Sequence, residues 1–327
     1  MSIKKIALIY GGDSSEWGIS VLSGKFVASC LDPKRYEVTE LLLRNGQWNV
    51  CDPSVKDVAV PVKPFIPAEL KRFDLAMIMI HGTPGENGIL QAELERHGVP
   101  FTTCDSRVSA ITFDKHACKK AMQGLGIPLA PEMFIHRGEP VNPEEVVEKL
   151  GLPVFVKPND GGSSFGVTKV KRQEDLAAAI AAAFSESDDV LIESFIPGRE
   201  LTEGVFNRHG EIIPLPVTEI IPHNEYFDYE AKYLGKSDEV CPAHITPEQA
   251  QTVREQTRRI YQHFGCRGLI RCDYIMTESG KVYFLEINPI PGMTKMSLVP
   301  AQIRAAGLAV PDVLDCLIEE ALETAEA

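Results

Sequence analysis

A loop rich in glycine and serine lies between two strand-like segments, and this arrangement constrains the fold more than any other feature of the chain. The loop is KPNDGGSSFGV at residues 157–167, with PVFVK leading into it and GVTKVK leading out of it. Both flanking segments are rich in β-branched residues and lack a helical period, so they predict a β-hairpin. A P-loop differs, because it reads GxxxxGK[ST] and runs from a strand into a helix.

The tip of this hairpin has two interpretations. Glycine allows backbone N–H groups to approach anionic oxygens closely and serine adds hydroxyl donors, so the tip is suited to a mobile lid over phosphates. Glycine and serine are also common in ordinary hairpin turns. The stretch by itself leaves both interpretations open, and the rest of the chain has to distinguish them.

Length, charge and cysteine content exclude several classes of protein. A chain of 327 residues exceeds one typical hydrophobic core, so two or three domains are expected. The net charge of −13 argues against a nucleic-acid partner, which needs a basic surface. Eight scattered cysteines with no CxxC pair argue against a zinc site or a disulfide framework and suit a reducing cytoplasm.

The N-terminal stretch MSIKKIALIYGG does not have the composition of a targeting segment. Its apolar run is too short for a signal peptide, and no run in the chain approaches the roughly 18 apolar residues of a membrane span. We therefore expect a cytoplasmic protein with no membrane partner.

The order of strand-like and helix-like segments predicts a mixed α/β fold with three domains. In residues 1–104 strands and helices alternate, with Ser14 or Ser15 as the expected N-cap of the first helix, which is typical of a parallel α/β domain. Ligands bind at the C-terminal ends of such strands, where the polar loops GGDSSE and HGTPGENG occur. Residues 105–197 contain the glycine-rich hairpin and a helix over AITFDKHACKKAMQGLG. Residues 198–327 contain a hairpin that turns at His209–Gly210, together with further strands and helices. Both of these domains are predicted to be α+β.

Two strands near the C-terminus, LIRCDYIM and KVYFLEIN, form a second hairpin around a turn at Glu278–Ser279–Gly280. Because side chains alternate along a strand, one face is predicted to be core. That face consists of Ile270, Cys272, Tyr274, Met276, Tyr283, Leu285 and Ile287. The other face carries Arg271, Asp273, Glu286 and Asn288. A tight two-residue turn would set Arg271 opposite Glu286, with Asp273 on the diagonal.

The polar face of this hairpin has the composition of a magnesium site. Asp273, Glu286 and Asn288 offer hard oxygen ligands, and Mg²⁺ commonly takes one or two carboxylates together with substrate phosphates. A solvated charged face with a cross-strand ion pair is the alternative. The metal site is favoured because Asn288 opens NPIPGMT, a stiff segment suited to the wall of an active site.

Several motifs in a fixed order resemble those of one enzyme family. KPNDGGSSFGVTKV, FDYEAKY, RCDY and LEINPIPGMTKMSLVP, together with GGDSSE, HGTPGENG, the DK pair at 114–115 and CPAHI, are similar to the D-alanine–D-alanine ligases of the ATP-grasp superfamily. Each motif alone is weak, but the ordered set spans nearly the whole chain. The resemblance implies an ATP-grasp architecture in which the two α+β domains clamp ATP, and the glycine-rich tip then corresponds to the lid over its phosphates.

The resemblance also implies an activity and its partners. Two D-alanine molecules would be joined through a D-alanyl phosphate, with release of ADP and phosphate, to supply a peptidoglycan precursor. The implied co-substrate is ATP, the implied metal is Mg²⁺ or Mn²⁺ with two ions, and the implied assembly is a homodimer. The base that takes the proton of the attacking amine is not evident from the sequence.

The family's site residues carry over by resemblance to the following positions. ATP would be held by the phosphate-binding Lys115, Lys157 and Lys232, the lid residues Ser163 and Ser164, the adenine hinge Glu193, Phe195 and Ile196, the ribose-binding Glu200, and Leu285. Metal ligands would be Asp273, Glu286 and Asn288. Glu16 would take the ammonium of the first D-alanine, and Arg271 and Ser297 would hold the carboxylate of the second. His81 and Leu298 would also belong to the substrate site. Arg271 and Gly292 would face the oxyanion, and Ser163, Tyr233 and Glu16 would form a latch that closes the site.

Alternatives remain open for two of these residues and for the substrate. Glu16 also suits a helix N-terminus, where the helix dipole favours an acidic residue, and His81 also suits a loop cap. The second substrate could be D-lactate or D-serine, although the tyrosine of EAKY resembles the dipeptide-forming type. Another ATP-grasp carboxylate–amine ligase and a non-catalytic nucleotide-binding regulator are the remaining alternatives.

The sequence departs from the family's usual pattern at a few positions. Trp17 and Gly18 stand where many relatives carry a basic and an acidic residue, and Gly161 stands where some carry glutamate. Pro289 and Ile290 replace small hydroxyl residues, and Pro289 cannot donate a backbone hydrogen bond. None of these departures removes a group assigned to the chemistry.

Overall fold

The computed structural model of the chain describes residues 3–162, 165–223 and 237–326, which fold around three β-sheets. The strands are β1 (Lys4–Gly11), β2 (Tyr36–Arg44), β3 (Gln47–Cys51), β4 (Pro61–Pro64), β5 (Leu75–Met79), β6 (Glu132–His136), β7 (Val154–Pro158), β8 (Thr168–Val170), β9 (Asp189–Ser194), β10 (Arg199–Arg208), β11 (Glu211–Pro214), β12 (Thr218–Pro222), β13 (Ser237–Val240), β14 (Ile270–Met276) and β15 (Val282–Asn288). The α-helices are α1 (Trp17–Cys30), α2 (Ile89–His97), α3 (Ser106–Phe113), α4 (Lys115–Ala121), α5 (Pro143–Leu150), α6 (Leu176–Phe184), α7 (Pro247–Phe264), α8 (Leu298–Ala305) and α9 (Val310–Glu326).

The first sheet has the strand order β4-β3-β2-β1-β5. β1 pairs in parallel with β2 and β5, as the alternation of strands and helices predicts, and the hairpins to β3 and β4 add two antiparallel strands at one edge. β5 is buried along its whole length, as expected of a parallel strand that is covered on both faces. The last helix, α9, packs against this sheet through a shared hydrophobic core.

The loops that follow β1 and β5 lie side by side at the C-terminal edge of the first sheet. The backbone N–H of Asp13 donates to Thr83 O at 2.8 Å, and Ser14 Oγ donates to His81 O at 2.8 Å. An N-cap at Ser14 or Ser15 was expected for α1, but the N-cap is Glu16. Ser14 is instead used to join the two loops, so that Glu16 lies at the positive end of the helix.

The second sheet has the order β6-β9-β7-β8, and it contains the predicted glycine-rich hairpin. β7 pairs antiparallel with β8, with Val154 opposite Val170, so residues 159–167 form the connection. The predicted helix that precedes this sheet is two helices, α3 and α4. Asp114 ends the first and caps the second, since its Oδ1 accepts the N–H of Ala117 at 2.8 Å. The break makes Lys115 the first residue of α4.

The third sheet has the order β13-β12-β10-β14-β15, with β11 paired to β10. The predicted turn at His209–Gly210 is confirmed, and both residues have positive φ angles, 50° and 86°. Helix α7 covers this sheet and begins with a complete capping box, in which Thr246 and Gln249 satisfy each other's backbone N–H groups.

The register of β14 and β15 differs from the expected one. Arg271 lies opposite Asn288 and Asp273 lies opposite Glu286, because the strands are joined by the five-residue connection 277–281 and not by a tight two-residue turn. After Asp273 the register shifts, so that Leu285 is an extra residue in a β-bulge. The prediction that Tyr283 and Leu285 belong to the core face is therefore wrong. Val282 and Phe284 are the buried residues there.

A carboxyl group lies buried between β10 and α7. Glu203 is fully buried, and neither of its oxygens has a hydrogen-bond partner among the residues that the structure describes. The hydroxyl of Thr257, which faces it, is bonded to Tyr274 Oη at 2.8 Å. Burial raises the pKa of Glu203 to about 8, although Arg254 and Arg258 partly oppose this shift. The carboxyl is therefore neutral below that pH in the folded protein.

We predict that Glu203→Gln makes the protein more stable at alkaline pH. Between pH 4.5 and about 8 only the unfolded chain ionises at this position, so the free energy of unfolding of the parent falls as the pH rises through that window. The variant lacks this loss and should exceed the parent by about 2 to 4 kcal/mol at pH 8, while the two are similar at pH 4.5. Urea unfolding at both pH values measures the difference, with the exposed Glu211→Gln as the control. An equal pH dependence in parent and Glu203→Gln would contradict the prediction.

Candidate active site

One cavity of about 1360 Å³ lies between the three sheets. Its wall contains fifteen of the residues that the sequence analysis assigned to the site, namely Glu16, His81, Lys115, Lys157, Glu193, Phe195, Ile196, Glu200, Arg271, Leu285, Glu286, Asn288, Gly292, Ser297 and Leu298. Asp273 lies just behind this wall, with 5% of its surface exposed. Ser163, Ser164, Lys232 and Tyr233 fall outside the described residues, so their assignments stay predictions.

One end of the cavity carries two lysines that were assigned to ATP phosphates. Lys115, at the start of α4, donates from Nζ to Gly161 O in the glycine-rich connection at 2.8 Å. Lys157, on β7, forms an ion pair with Glu193 on β9. The phosphate-binding lysine and the hinge carboxylate of the prediction are therefore direct neighbours.

Glu193 is held by a second lysine that the sequence analysis missed. Lys119 lies one helical turn after Lys115 and pairs with the other oxygen of the Glu193 carboxylate. Burial alone would raise the pKa of Glu193, but the charges of Lys157 and Lys119 lower it to about 2. The spacing of four residues from Lys115 was the available signal in the sequence, because residues at i and i+4 share a helix face.

Apolar side chains border the same end of the cavity. Phe155 and Phe195 have ring centroids 6.0 Å apart, and Lys169 Nζ lies 3.9 Å from the centroid of the Phe195 ring. Ile196 and Leu285 complete this border, and the bulge in β15 is what turns Leu285 from the core toward the cavity. The border is apolar and adjacent to a carboxylate, which suits a purine ring.

The predicted metal ligands lie together on β14 and β15. Asp273 Oδ1 accepts from Thr202 Oγ1 at 2.6 Å and from Arg271 Nε at 2.9 Å. Its Oδ2 accepts from Arg271 Nη2 at 2.8 Å and from Asn288 Nδ2 at 2.9 Å. With Glu286 directly across the ladder, this set of two carboxylates and one carboxamide fits a hard divalent cation. An ion bound to Asp273 would take the place of one of these four donors.

Glu16 also borders the cavity. A Cβ atom built on Gly162 would lie 2.3 Å from Glu16 Oε2, so the backbone of the glycine-rich connection packs directly against this carboxylate. A side chain at position 162 would push the connection away from Glu16. Of the three residues in the predicted latch the structure describes only Glu16, so the latch stays a prediction.

His81 uses both ring nitrogens for bonds within the protein. Nδ1 is 2.8 Å from Ile290 O and Nε2 is 2.9 Å from Ser23 Oγ. Burial lowers the pKa of His81, so the ring is neutral, with Nδ1 as donor and Nε2 as acceptor. A direct polar contact between His81 and a substrate would require one of these bonds to break. The histidine therefore holds the segment after β15 and is not only a cap of its own loop.

Two further residues that the sequence analysis missed hold the same segment. Glu86 accepts the N–H of Ile290 at 3.2 Å and the N–H of Gly82 at 2.7 Å, and Ser23 accepts the N–H of Met293 at 3.1 Å. Burial and the charge of Glu16 raise the pKa of Glu86 to about 8. We call Ser23, His81 and Glu86 the clamp. It fixes the backbone on both sides of Gly292 to the first sheet.

The second-substrate residues of the prediction lie where the clamped segment meets α8. Ser297 is the N-cap of α8, and its Oγ accepts the N–H of Thr294 at 3.0 Å. A Cβ atom on Gly292 would lie 3.0 Å from Ser297 Oγ, so glycine allows the tight approach of these two positions. Leu298 follows as the first residue of α8. Gly292 and Ser297 therefore border one pocket.

Comparison with known proteins decides the family. A family model described as the D-ala D-ala ligase N-terminus matches residues 5–104, and one described as the D-ala D-ala ligase C-terminus matches residues 121–319. The chain belongs to the D-alanine–D-alanine ligase family. It is 46% identical to the D-alanine–D-alanine ligase of Phocaeicola vulgatus over 97% of this chain and 98% of that protein. It is 43% identical to the ligase of Parabacteroides distasonis over 98% of both.

Solved structures agree with this assignment. The D-Ala:D-Ser ligase VanG from Enterococcus faecalis superposes with a TM-score of 0.86 at 31% identity, covering 97% of this chain and 99% of VanG. The D-alanyl-alanine synthetase A of Vibrio cholerae has a TM-score of 0.85 at 28% identity, covering 99% of both chains. The predicted ATP-grasp architecture of this ligase family is confirmed, and the chain is an enzyme of the family.

We predict that Ser23→Ala slows turnover by about tenfold, because it removes the acceptor for Met293 N–H and the donor to His81 in a buried site. The loss should fall on kcat and should leave the KM for ATP within about twofold, since the segment that the clamp holds contains none of the residues that were assigned to ATP. Steady-state kinetics measure both quantities, with Ser29→Ala on the exposed face of α1 as the control. A folded Ser23→Ala enzyme with parental kcat would show that the clamp does not position the segment.

Proposed function

We propose that this protein joins two molecules of D-alanine to form D-alanyl-D-alanine, with ATP as the co-substrate and ADP and phosphate as the other products. The observation that carries the proposal is that one cavity is bordered by Lys115 and Lys157, by Glu16 and by Glu286, with Asp273 paired directly opposite Glu286. A carboxylate bound near Glu16 and a triphosphate bound at the lysines would meet within it. The family match over nearly the whole chain supports the same reaction.

The proposed reaction has two steps. The carboxylate of the first D-alanine attacks the γ-phosphorus of ATP, which forms an acyl phosphate and releases ADP. The amine of the second D-alanine then attacks the acyl carbon, phosphate leaves, and the amine proton passes to a base. Lys115, Lys157 and Lys232 neutralise phosphate charge, and the N–H groups and serines of the lid, Ser163 and Ser164, cover it.

The substrate end of the cavity supplies orientation and charge. Glu16 takes the ammonium of the first D-alanine, and His81 acts beside this site through the clamp. Arg271 and the N–H of Gly292 face the oxyanion of the second step, while Arg271, Ser297 and Leu298 hold the second substrate. The latch of Ser163, Tyr233 and Glu16 closes the lid, which keeps water from the acyl phosphate.

Asp273, Glu286 and Asn288 would hold Mg²⁺, and Mn²⁺ would suit the same oxygen ligands. Bound there, one or two such ions would neutralise negative charge on the phosphate oxygens. The protein's own contribution is the rigid pairing of β14 with β15, which holds the two carboxylates opposite each other.

A ligase that uses D-serine as the second substrate is the other candidate, because one structural neighbour is a D-Ala:D-Ser ligase. An assay separates the candidates: phosphate release from ATP and the mass of the product with D-alanine alone, and with D-alanine plus D-serine, D-lactate or L-alanine. The proposal expects D-alanyl-D-alanine as the dominant product in every mixture. A dominant mixed product would support the other candidate, and no phosphate release with any amino acid would overturn both.

We further propose a homodimer in the cytoplasm, with domains at residues 1–104, 105–197 and 198–327. Relatives of the family motivate the dimer, and the dependence on ATP together with eight cysteines outside disulfides suits the cytoplasm. The described residues include no helix that is long and apolar enough to cross a membrane. Light scattering of the purified protein gives the oligomeric state directly.

We predict that Glu286→Gln lowers kcat by more than about 100-fold while the protein stays folded, because an amide is a weaker ligand than a carboxylate for a hard cation. Turnover is measured across a range of Mg²⁺ concentrations, with circular dichroism as the test of folding. Glu278→Gln, in the exposed turn of the same hairpin, is the control. Near-parental turnover of Glu286→Gln at saturating Mg²⁺ would rule out this ligand.

We predict that Arg271→Lys lowers kcat by about 100-fold, because a point charge does not replace a planar two-pronged donor at an oxyanion. The same change removes the two-pronged hydrogen bonding by which the guanidinium holds Asp273. Kinetics with D-alanine as the varied substrate separate kcat from KM, and Arg267→Lys, which is exposed, is the control. A rise in the KM of the second D-alanine with unchanged kcat would contradict the oxyanion role.

A further inference from the structure

A buried lysine behind the nucleotide end of the cavity has three partners. Lys119, with 3% of its surface exposed, pairs with Glu193, pairs with Glu132 at 2.6 Å and donates to Ala130 O at 3.0 Å. Glu193 and Ala130 O accept hydrogen bonds from the ammonium group, and the contact with Glu132 is an ion pair without a hydrogen bond. Lys119 is therefore fixed in place by its surroundings.

Lys119 and Lys157 approach the same carboxylate from different sides. Lys157 borders the cavity, and its side chain is 16% exposed, whereas Lys119 lies behind the wall with its side chain 4% exposed. A triphosphate in the cavity attracts the lysine at its surface. When Lys157 turns to phosphate, Lys119 is the counter-ion that stays with Glu193.

The charge on Glu193 decides which nucleobase it can bind. An ionised carboxylate only accepts hydrogen bonds, whereas a protonated one also donates. Adenine carries an amino group at C6 and guanine carries a carbonyl oxygen there. An ionised Glu193 therefore attracts adenine and repels guanine at this position, and a neutral one loses that distinction. A buried carboxylate without a counter-ion takes up a proton.

Glu132 explains why a cation is needed at this point in the fold. Glu132 on β6 is the direct cross-strand neighbour of Glu193 on β9, and like charges in such positions destabilise a sheet. Lys119 lies between the two carboxylates, and His116 Nδ1 approaches the other oxygen of Glu132 at 2.6 Å. If Lys119 had only a structural role, that role would be to neutralise these two carboxylates.

We propose that Lys119 is a positioning residue which keeps Glu193 available as the acceptor for the exocyclic amino group of adenine, and thereby sets the preference for ATP over GTP. This inference rests on the proposed function, since it requires a nucleotide at the lysine end of the cavity. Lys119 itself does not touch the nucleotide. It acts through the carboxylate that it holds.

The test measures nucleotide binding by calorimetry without D-alanine, using the non-hydrolysable analogues AMP-PNP and GMP-PNP. Lys119→Met removes the charge and keeps an unbranched side chain, and Lys120→Met, on the exposed side of α4, is the matched control. We expect Lys119→Met to weaken AMP-PNP binding by about tenfold or more and to bring the affinity ratio of the two analogues toward one, because hydrogen bonds to charged acceptors are the stronger ones. The control should keep the parental ratio.

Glu193→Gln separates the failure of this inference from the failure of its premise. If Glu193→Gln leaves the ratio of the affinities for AMP-PNP and GMP-PNP unchanged, Glu193 does not distinguish the bases. The assignment of Glu193 to the adenine hinge and the inference about Lys119 are then both wrong. If Glu193→Gln changes the ratio and a folded Lys119→Met does not, Lys119 is only structural and the inference alone is overturned. A parent that binds neither analogue would overturn the proposed function itself.

The double variant covers the case in which Lys119→Met does not fold. A neutral amide at position 193 needs no counter-ion, so Lys119→Met in the Glu193→Gln background should fold and should leave the nucleotide ratio of Glu193→Gln unchanged within about twofold. A further shift of the ratio in the double variant would mean that Lys119 acts on the nucleotide by another route, and it would overturn the inference.

Discussion

The attachment of the segment 290–293 to the first sheet is the interaction on which the site depends. This segment continues from β15, which carries Glu286 and Asn288, and it leads to Gly292 and Ser297. Three buried side chains from α1 and the loop after β5 bind its backbone atoms. Because these bonds join parts of the chain more than 200 residues apart, they fix the position of this segment relative to the first sheet. The separate sheets then form one site.

Charge in this protein is arranged locally and not globally. The net charge is −13, yet the cavity that is proposed to take a triphosphate contains several cations. Three of these cations already have an anionic or carbonyl partner: Lys115 has Gly161 O, Lys157 has Glu193 and Arg271 has Asp273. Such pairing lowers the cost of holding charge in a partly buried cavity. A ligand that binds there exchanges one set of partners for another.

Local patterns in the sequence predicted the elements that depend on neighbours in sequence. The glycine-rich hairpin, the His209–Gly210 turn and the strands that carry Asp273 and Glu286 all follow from turn chemistry and alternation, and the structure contains them. The family motifs likewise led to most of the cavity wall. The order of polar residues along two strands was enough to suggest that oxygen ligands share a face.

The features that the sequence did not predict depend on long-range packing. The break between α3 and α4 arises because Asp114 can cap a new helix, although its sequence neighbours suit one continuous helix. The pairing of Lys119 with Glu193 joins residues 74 positions apart, and Ser23 meets a backbone N–H 270 positions away. Contacts between residues so far apart in sequence are not visible in a local pattern of residues. The bulge at Leu285 was missed because alternation assumes a regular ladder, and a single extra residue reverses it for the rest of the strand.

That bulge also allows an apolar residue and a carboxylate at adjacent positions of β15 to face the same cavity. In an even ladder, residues on the same face are two apart, so an apolar wall residue could not directly precede a carboxylate on the cavity side. The extra residue lets Leu285 and Glu286 both border the cavity while Phe284 and Ile287 keep the core. Leu285 has no partner position in the ladder, so its side chain is not constrained by the pairing of β14 with β15. Evolution can therefore reshape this side of the cavity at position 285 and leave the neighbouring carboxylates where they are.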